Sequence, residues 1–149
     1  MMDNKNLNPE LIQILDFKLI KGQIESPLEF DEKVVKGHSF NADFEMGFNI
    51  EDKLAKTDIK FDIRTESNKK QEEAVGHFYF AFIYNIENLG ELIEVDKQKS
   101  NLVNVAPALS NALASITYST SRGILMTRFQ GTALRGFILP VIDPNSLTK

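Results

Sequence analysis

The chain has 149 residues, 17 Lys and Arg against 21 Asp and Glu, a net charge of −4, 11 Phe, no Trp and no Cys. A length near 150 favours one domain that buries most of its surface without staples, and the lack of cysteine excludes disulfides, thiolate metal sites and redox chemistry on sulfur. The first 25 residues show no apolar stretch behind a basic start, and no run approaches the roughly 18 apolar residues of a membrane span. The expected address is therefore the cytoplasm, without membrane insertion. Residues 101–149 hold Arg122, Arg128, Arg135 and Lys149 against Asp143 alone. Three separated arginines in an acidic protein do not make the clustered basic face that nucleic acid requires.

In chain order, residues 1–10 are polar, close with Asn8-Pro9 and read as a disordered lead-in to a single domain over 1–149. From 15 to 24, Leu15, Phe17 and Leu19 alternate with Asp16 and Lys18, a strand in which Gly22 marks a bulge. Residues 26–39 have a proline, mixed charge and no period, and form a long connection carrying Leu28, Phe30, Val34 and Val35. The clearest signal follows: Phe40, Ala42, Phe44, Met46, Phe48 and Ile50 alternate with polar residues or glycine, so one face is buried and the other wet. Ile59, Phe61 and Ile63 repeat the pattern against Asp58, Lys60, Asp62 and Arg64. The polar run ESNKKQEE is a hairpin loop leading to 77–86, where Phe78, Phe80, Phe82, Tyr84 and Ile86 share one face and Tyr79, Ala81 and Ile83 the other. A strand apolar on both faces needs cover on both sides or an interface.

A helix is expected from about Asn104 to Ser121, on the spacing of Val105, Leu109, Leu113 and Ile116. Asn104 serves as cap, Pro107 sits in the first turn and Gly123 provides a left-handed end. The class is α+β: a four-stranded antiparallel meander with a long C-terminal helix packed on one face. Ala108, Ala112, Ser115 and Ser119 form a second helical stripe of small residues. It reads either as a subunit contact that lets another helix approach closely or as an ordinary exposed face. The apolar runs 124–129 and 137–142 look β-like, as a further strand or an extended arm.

Catalytic chemistry is poorly supported. His38 and His77 are isolated from other ligand-type residues, so neither a metal nor a cofactor is expected. The G-T-A-L-R-G of 131–136 has the glycine spacing of a phosphate loop, but Phe137 and Ile138 stand where it needs Lys and Ser/Thr. Ser67-x-x-Lys70 lies in a charged turn. Asp43, Glu45, Asp58 and Asp62 alternate with apolar residues and face water, where no pKa is tuned for acid–base work. Surface binding without catalysis is the favoured class. Two competitors are a hot-dog-like small-molecule-binding protein or thioesterase, with His77 or a nearby carboxylate facing a closed pocket, and a structural subunit docking one fixed partner.

The run Ile116-Thr117-Tyr118-Ser119-Thr120-Ser121-Arg122-Gly123, followed by Leu139-Pro140-Val141-Ile142-Asp143-Pro144-Asn145-Ser146-Leu147, resembles the SecB family of export chaperones. There a long helix ends in a similar Ser-Arg-Gly, and four strands with a long first crossover precede it. The resemblance implies an ATP-independent holdase that binds unfolded or precursor polypeptides in extended form. It also implies a homo-oligomer, a dimer or a tetramer built as a dimer of dimers with helices between sheets. The implied client groove lies between the crossover residues Leu28, Phe30, Val34 and Val35 and the tail residues Phe129, Leu134 and Phe137; core filling is the competing role for each. Three departures stand out: the longer apolar stretch between Gly123 and Leu139, a helix without an aromatic- and Pro-containing centre, and an end at Lys149 without a full second helix or basic tail. The last weighs against the translocase motor SecA as a partner and leaves a dedicated client, such as an antitoxin, as the variant reading.

Overall fold

The computed structural model describes residues 6–95 and 103–148. Part of the expected lead-in is ordered: a 3-10 turn at Pro9–Leu11 is capped by Asn8, whose side chain accepts the Glu10 N–H, and Asn88 donates to the Asn6 carbonyl at 2.7 Å. The strands are β1 (Ile12–Glu25), β2 (Val35–Asn49), β3 (Leu54–Ser67) and β4 (Val75–Ile86). They form one antiparallel sheet in the order β1-β4-β3-β2. Thus β2, β3 and β4 run as a meander, whereas the 26–34 crossover carries the chain from β1, at the far edge beside β4, to β2 at the opposite edge.

Register places the alternating apolar residues on one face. Phe44 pairs with Ile59, Ile59 with Phe80 and Phe80 with Leu19; Ala42, Phe61, Phe78 and Gly22 form the next row. On the other face Asp43, Lys60, Tyr79 and Lys21 line up. The expected bulge at Gly22 is absent. The register of β1 breaks instead between Ile14 and Asp16 and between Leu19 and Lys21, leaving Leu15 and Ile20 as the extra residues. Gly22 answers to crowding: a Cβ there would lie 3.2 Å from Leu19 Cδ1 and 3.4 Å from Phe78 Cε1.

After β4 the chain forms a single turn, α1 (Leu89–Leu92), and two short paired strands, β5 (Ile93–Val95) and β6 (Val103–Val105). Helix α2 then spans Pro107–Arg128. Both of its expected ends move. Asn104 pairs with Glu94 in the β5–β6 ladder, and Ala106 is the cap residue. Gly123 lies inside the helix, with open space where a Cβ would be, and the left-handed glycine is Gly131, φ +75°. A glycine inside a helix costs about 1 kcal/mol, whereas burying a large apolar side chain returns about 1.5–3 kcal/mol. Continuing the helix buries both Leu125 and Phe129, so the run 124–129 is helical rather than a strand.

The tail is the extended arm. Phe137 and Leu139 are buried while Ile138 and Val141 are exposed. Tyr118 donates to the Pro140 carbonyl at 2.7 Å, and a 3-10 turn at Pro144–Leu147 ends the described chain.

Helix and sheet meet at a buried polar junction. Thr117 Oγ1 lies 2.8 Å from Thr57 Oγ1 and 2.7 Å from the Tyr84 hydroxyl, and all three residues are fully buried. One helical hydroxyl thus fixes α2 over β3 and β4 at a single register, where an all-apolar contact would let it slide. Thr117→Val removes the hydroxyl that both Thr57 and Tyr84 bond and is expected to cost about 1–3 kcal/mol in urea unfolding. Tyr84→Phe leaves the threonine pair intact and is expected to cost less; equal costs would contradict this account of the junction.

Candidate functional site

Helix α2 seals the middle of the sheet. Ile59, Phe61, Phe80 and Phe82 are at most 1% exposed, while the margins on either side remain open. On β1, Ile14 (46%), Leu15 (51%), Phe17 (38%) and Ile20 (51%) reach solvent, with the Phe17 ring centre 5.0 Å from that of the buried Phe82 and tilted 56° to it. On β2, Phe40, Ala42, Phe44, Met46 and Phe48 are all half-buried, as is Ile50 in the turn that follows. Phe44, Met46, Phe48 and Ile50 form one wall of a cleft of about 500 Å³ whose opposite wall is Val103, Val105 and Leu147. Its lining contains no charged side chain.

The two segments expected to flank a groove do meet. A cleft of about 460 Å³ lies between Pro27, Leu28 and Phe30 on the crossover and Gly131, Thr132 and Ala133 on the tail. A neighbouring one of about 680 Å³ lies between residues 31–38 and Ala133, Arg135 and Gly136. Glu32 pairs with Arg135 at 2.5 Å across the junction. The Gln71 side chain holds Asp31 at both its N–H (3.0 Å) and its carbonyl (3.1 Å), and Asn68 N–H donates to the Val34 carbonyl at 2.8 Å.

The seven residues divide by depth. Leu28 is fully exposed and Phe30, Val34 and Val35 are half-buried, whereas Phe129, Leu134 and Phe137 point into the core. Leu134 occupies the space above Gly76, where a Cβ would lie 2.6 Å from its Cδ1. Phe137 sits against His38 (5.1 Å), Phe40 (5.7 Å) and Phe129 (6.4 Å). The Gly131–Gly136 segment is therefore a series of turns that inserts Leu134. On α2, Ala108, Ala112 and Ser115 are half-buried and Ser119 is exposed, beside the stripe of Leu109, Leu113 and Thr117 that faces the sheet.

The titratable groups are dispersed. His77 lies on the wet face of the sheet, its Nδ1 2.6 Å from Asp62 Oδ1, and lines none of these clefts. Tyr79 donates to Asp58 at 2.6 Å, and the Lys60 ammonium lies 4.8 Å from the Tyr79 ring centre. Among the described residues no group of three or more His, Cys, Asp or Glu could hold a metal ion, and no helix is long and apolar enough to cross a membrane.

Sequence reading overlooked the β2 wall: Phe44, Met46 and Phe48 looked like ordinary core. The available signal was arithmetical, since one helix faced four strands. It likewise overlooked Ile14 and Ile20.

No protein-family model and no curated protein matches the chain. Among solved structures it is similar to a SecB-like chaperone of Mycobacterium tuberculosis, in complex with a ChAD peptide from the HigA1 antitoxin. The TM-score is 0.60 at 15% identity, over 89% of this chain and 91% of that one. A protein of unknown function from Streptococcus agalactiae is a more distant likeness, with a TM-score of 0.36 at 14% identity over 87% of this chain and 97% of that one. The fold of the chain is SecB-like.

His38, half-buried against Phe137, is held below its ordinary pKa by desolvation, which Glu66 partly offsets. Below about pH 6.5 the unfolded chain takes up the proton first, so stability falls with pH until the folded imidazole is also protonated. The loss of stability between pH 7 and pH 5, read by urea unfolding, is expected to be smaller in His38→Gln than in the wild type. An equal loss would place the acid sensitivity elsewhere.

Proposed function

We propose that the chain is an ATP-independent holdase that binds extended stretches of non-native polypeptide in the cytoplasm, export precursors among them. The observation that carries this reading is the uncharged, aromatic wall of β2, left half-exposed by the single helix in a chain with a SecB-like fold. Unfolded clients share no sequence but do share apolar side chains and unpaired backbone. A shallow cleft floored by Phe and Met accepts many shapes, because Met is flexible and polarizable. Each client side chain taken from water contributes about 1.5–3 kcal/mol. A few such contacts give reversible capture without nucleotide or cofactor, and repetition across subunits adds avidity.

In this reading Leu28, Phe30 and Val35 line the two neighbouring clefts with Val34 beside them, and Phe129, Leu134 and Phe137 are the core residues that support this surface from beneath. The Ala108, Ala112, Ser115 and Ser119 stripe and the open β1 margin are surfaces for further copies of the chain. A dedicated client such as an antitoxin is the second reading, favoured by the antitoxin peptide bound to the similar mycobacterial chaperone. SecA is not part of the proposal.

Purified protein in molar excess is expected to suppress light scattering from a denatured client diluted out of guanidinium, without ATP. Equal scattering with and without it would reject the holdase reading. Met46→Glu puts a charge on the uncharged wall and is expected to weaken client binding about tenfold, the equivalent of one lost apolar contact, with an unchanged circular dichroism spectrum. Undiminished affinity would place the clients elsewhere. Ala112→Glu is expected to lower the mass measured by light scattering; an unchanged mass would move the subunit contact off this stripe.

A further inference from the structure

We propose that Gln71 is the positioning residue of a strap. It holds the crossover stretch 26–30 off the tail, and when its hold on Asp31 is lost Leu28 folds into the cleft beside Gly131, Thr132 and Ala133 and closes it. The closing stands on the geometry of this chain alone; its effect on clients rests on the holdase reading.

The strap is tied at its two ends. β1 stops at Glu25, which pairs with Val75. At the other end one side chain binds both backbone groups of Asp31: the Gln71 amide accepts its N–H at 3.0 Å and donates to its carbonyl at 3.1 Å. Between the ties, among the described residues, the backbone of 28–30 makes no hydrogen bond. Pro27 fixes one of the stretch's own dihedrals, so it swings about its ends as a stiff piece. Leu28 is fully exposed, although a cleft of about 460 Å³ lies beside it with Glu32 as the one charged residue of its lining. Water favours filling such a space with an apolar side chain. What prevents this is the direction that the held Asp31 imposes on the chain leaving Phe30.

Gln71 is itself held in place. Its amide also donates to Ser67 Oγ at 2.7 Å, so both of its hydrogens are engaged. The Ser67 hydroxyl donates onward to Glu73 at 2.7 Å, and the same carboxylate accepts the Ser67 N–H at 2.9 Å and the Thr65 hydroxyl at 3.0 Å. These bonds, the Ser67 hydroxyl's first, hold Glu73 below the ordinary carboxylate range, so it stays charged and keeps accepting. The β3–β4 hairpin loop thereby aims one amide at the crossover. The turn that follows Asp31 is secured separately, by the Asp31 side chain capping Lys33 N–H, by Asn68 on the Val34 carbonyl and by the Glu32–Arg135 pair. Loss of Gln71 therefore frees the strap and leaves the turn.

The full chain has no Trp, so Leu28→Trp is a single fluorescent reporter on the strap. Its emission is expected to be that of a solvated indole. Adding Gln71→Ala is expected to shift the emission to the blue and to lower its quenching by acrylamide, with an unchanged circular dichroism spectrum. Gln71→Glu keeps the size and an acceptor but offers the Asp31 carbonyl no donor, and is expected to do the same; Tyr84→Phe, at the helix junction, is expected to do neither. With Leu28 in place, affinity for labelled lactalbumin kept unfolded by reduction and carboxymethylation is read by anisotropy. It is expected to fall about tenfold in Gln71→Ala, the equivalent of one lost apolar contact. In the Leu28→Ser background the same change is expected to have no effect, because no side chain is left to fill the cleft. An emission maximum that both Gln71 variants leave in place overturns the strap. A blue shift with an equal loss of affinity in the two backgrounds, or with no loss in either, overturns the claim that closure shuts clients out. Failure of the unaltered chain to bind the lactalbumin overturns the holdase reading, and the emission shift then decides the strap by itself.

Discussion

A single helix is too narrow for the apolar face on which it lies. Four strands about 4.8 Å apart present a face roughly 19 Å wide, whereas a helix with its side chains is about 10–12 Å across. Helix α2 is held over β3 and β4 by the hydroxyls of Thr57, Tyr84 and Thr117, and Tyr118 and Phe129 pack on Phe61 and Phe78. The strips that remain belong to β1 on one side and β2 on the other. The crossover, the β5–β6 hairpin and the tail only partly roof them, and the clefts lie in the gaps.

The two margins differ in kind. β1 is bulged twice, has Lys18 and Lys21 on its wet face, and exposes Ile14, Leu15, Phe17 and Ile20 without an opposing wall. β2 is regular, has Asp43 and Glu45 on its wet face, and looks across a cleft at Val103, Val105 and Leu147. An unwalled apolar margin suits a large fixed contact such as a second copy, while a walled one suits a narrow extended guest. Exposed Phe and Met favour aggregation. The net charge of −4 and the acidic outer row of β2 oppose it.

Much of the fold was legible. The period of two over 40–50 and again around Ile59, Phe61 and Ile63 marks half-buried strands because only one face of the sheet is covered. β4 reads as apolar on both sides, but its second face is not covered as its first is: Ala81 is buried between the neighbouring strands, whereas Tyr79 and Ile83 are half-buried. Local rules misplaced the helix ends. Gly123 looks like a terminator, yet Leu125 and Phe129 gain more by continuing the stripe than the glycine loses. Gly22 looks like a bulge, yet it makes room for Leu19 and Phe78. The crossover and tail were correctly chosen as neighbours, but their depth was not readable: nothing local distinguishes the buried Leu134 from the exposed Leu28. That difference arises because Gly76, 58 positions earlier in the chain than Leu134, leaves space on β4. The β2 wall was hidden for a related reason, since a core residue and a groove residue on an edge strand have the same alternation.

The central claim, that the strip of β2 left open by α2 is where non-native chains are held, can be read from two methionine methyl groups. Met46 lies on the cleft wall, and Met126 is exposed on α2 away from it. With ¹³C-methyl methionine and an unfolded client added in steps, the account predicts that the Met46 resonance shifts and saturates with the bound fraction while Met126 stays in place. A client that binds without moving Met46, or that moves Met126 alone, would contradict it.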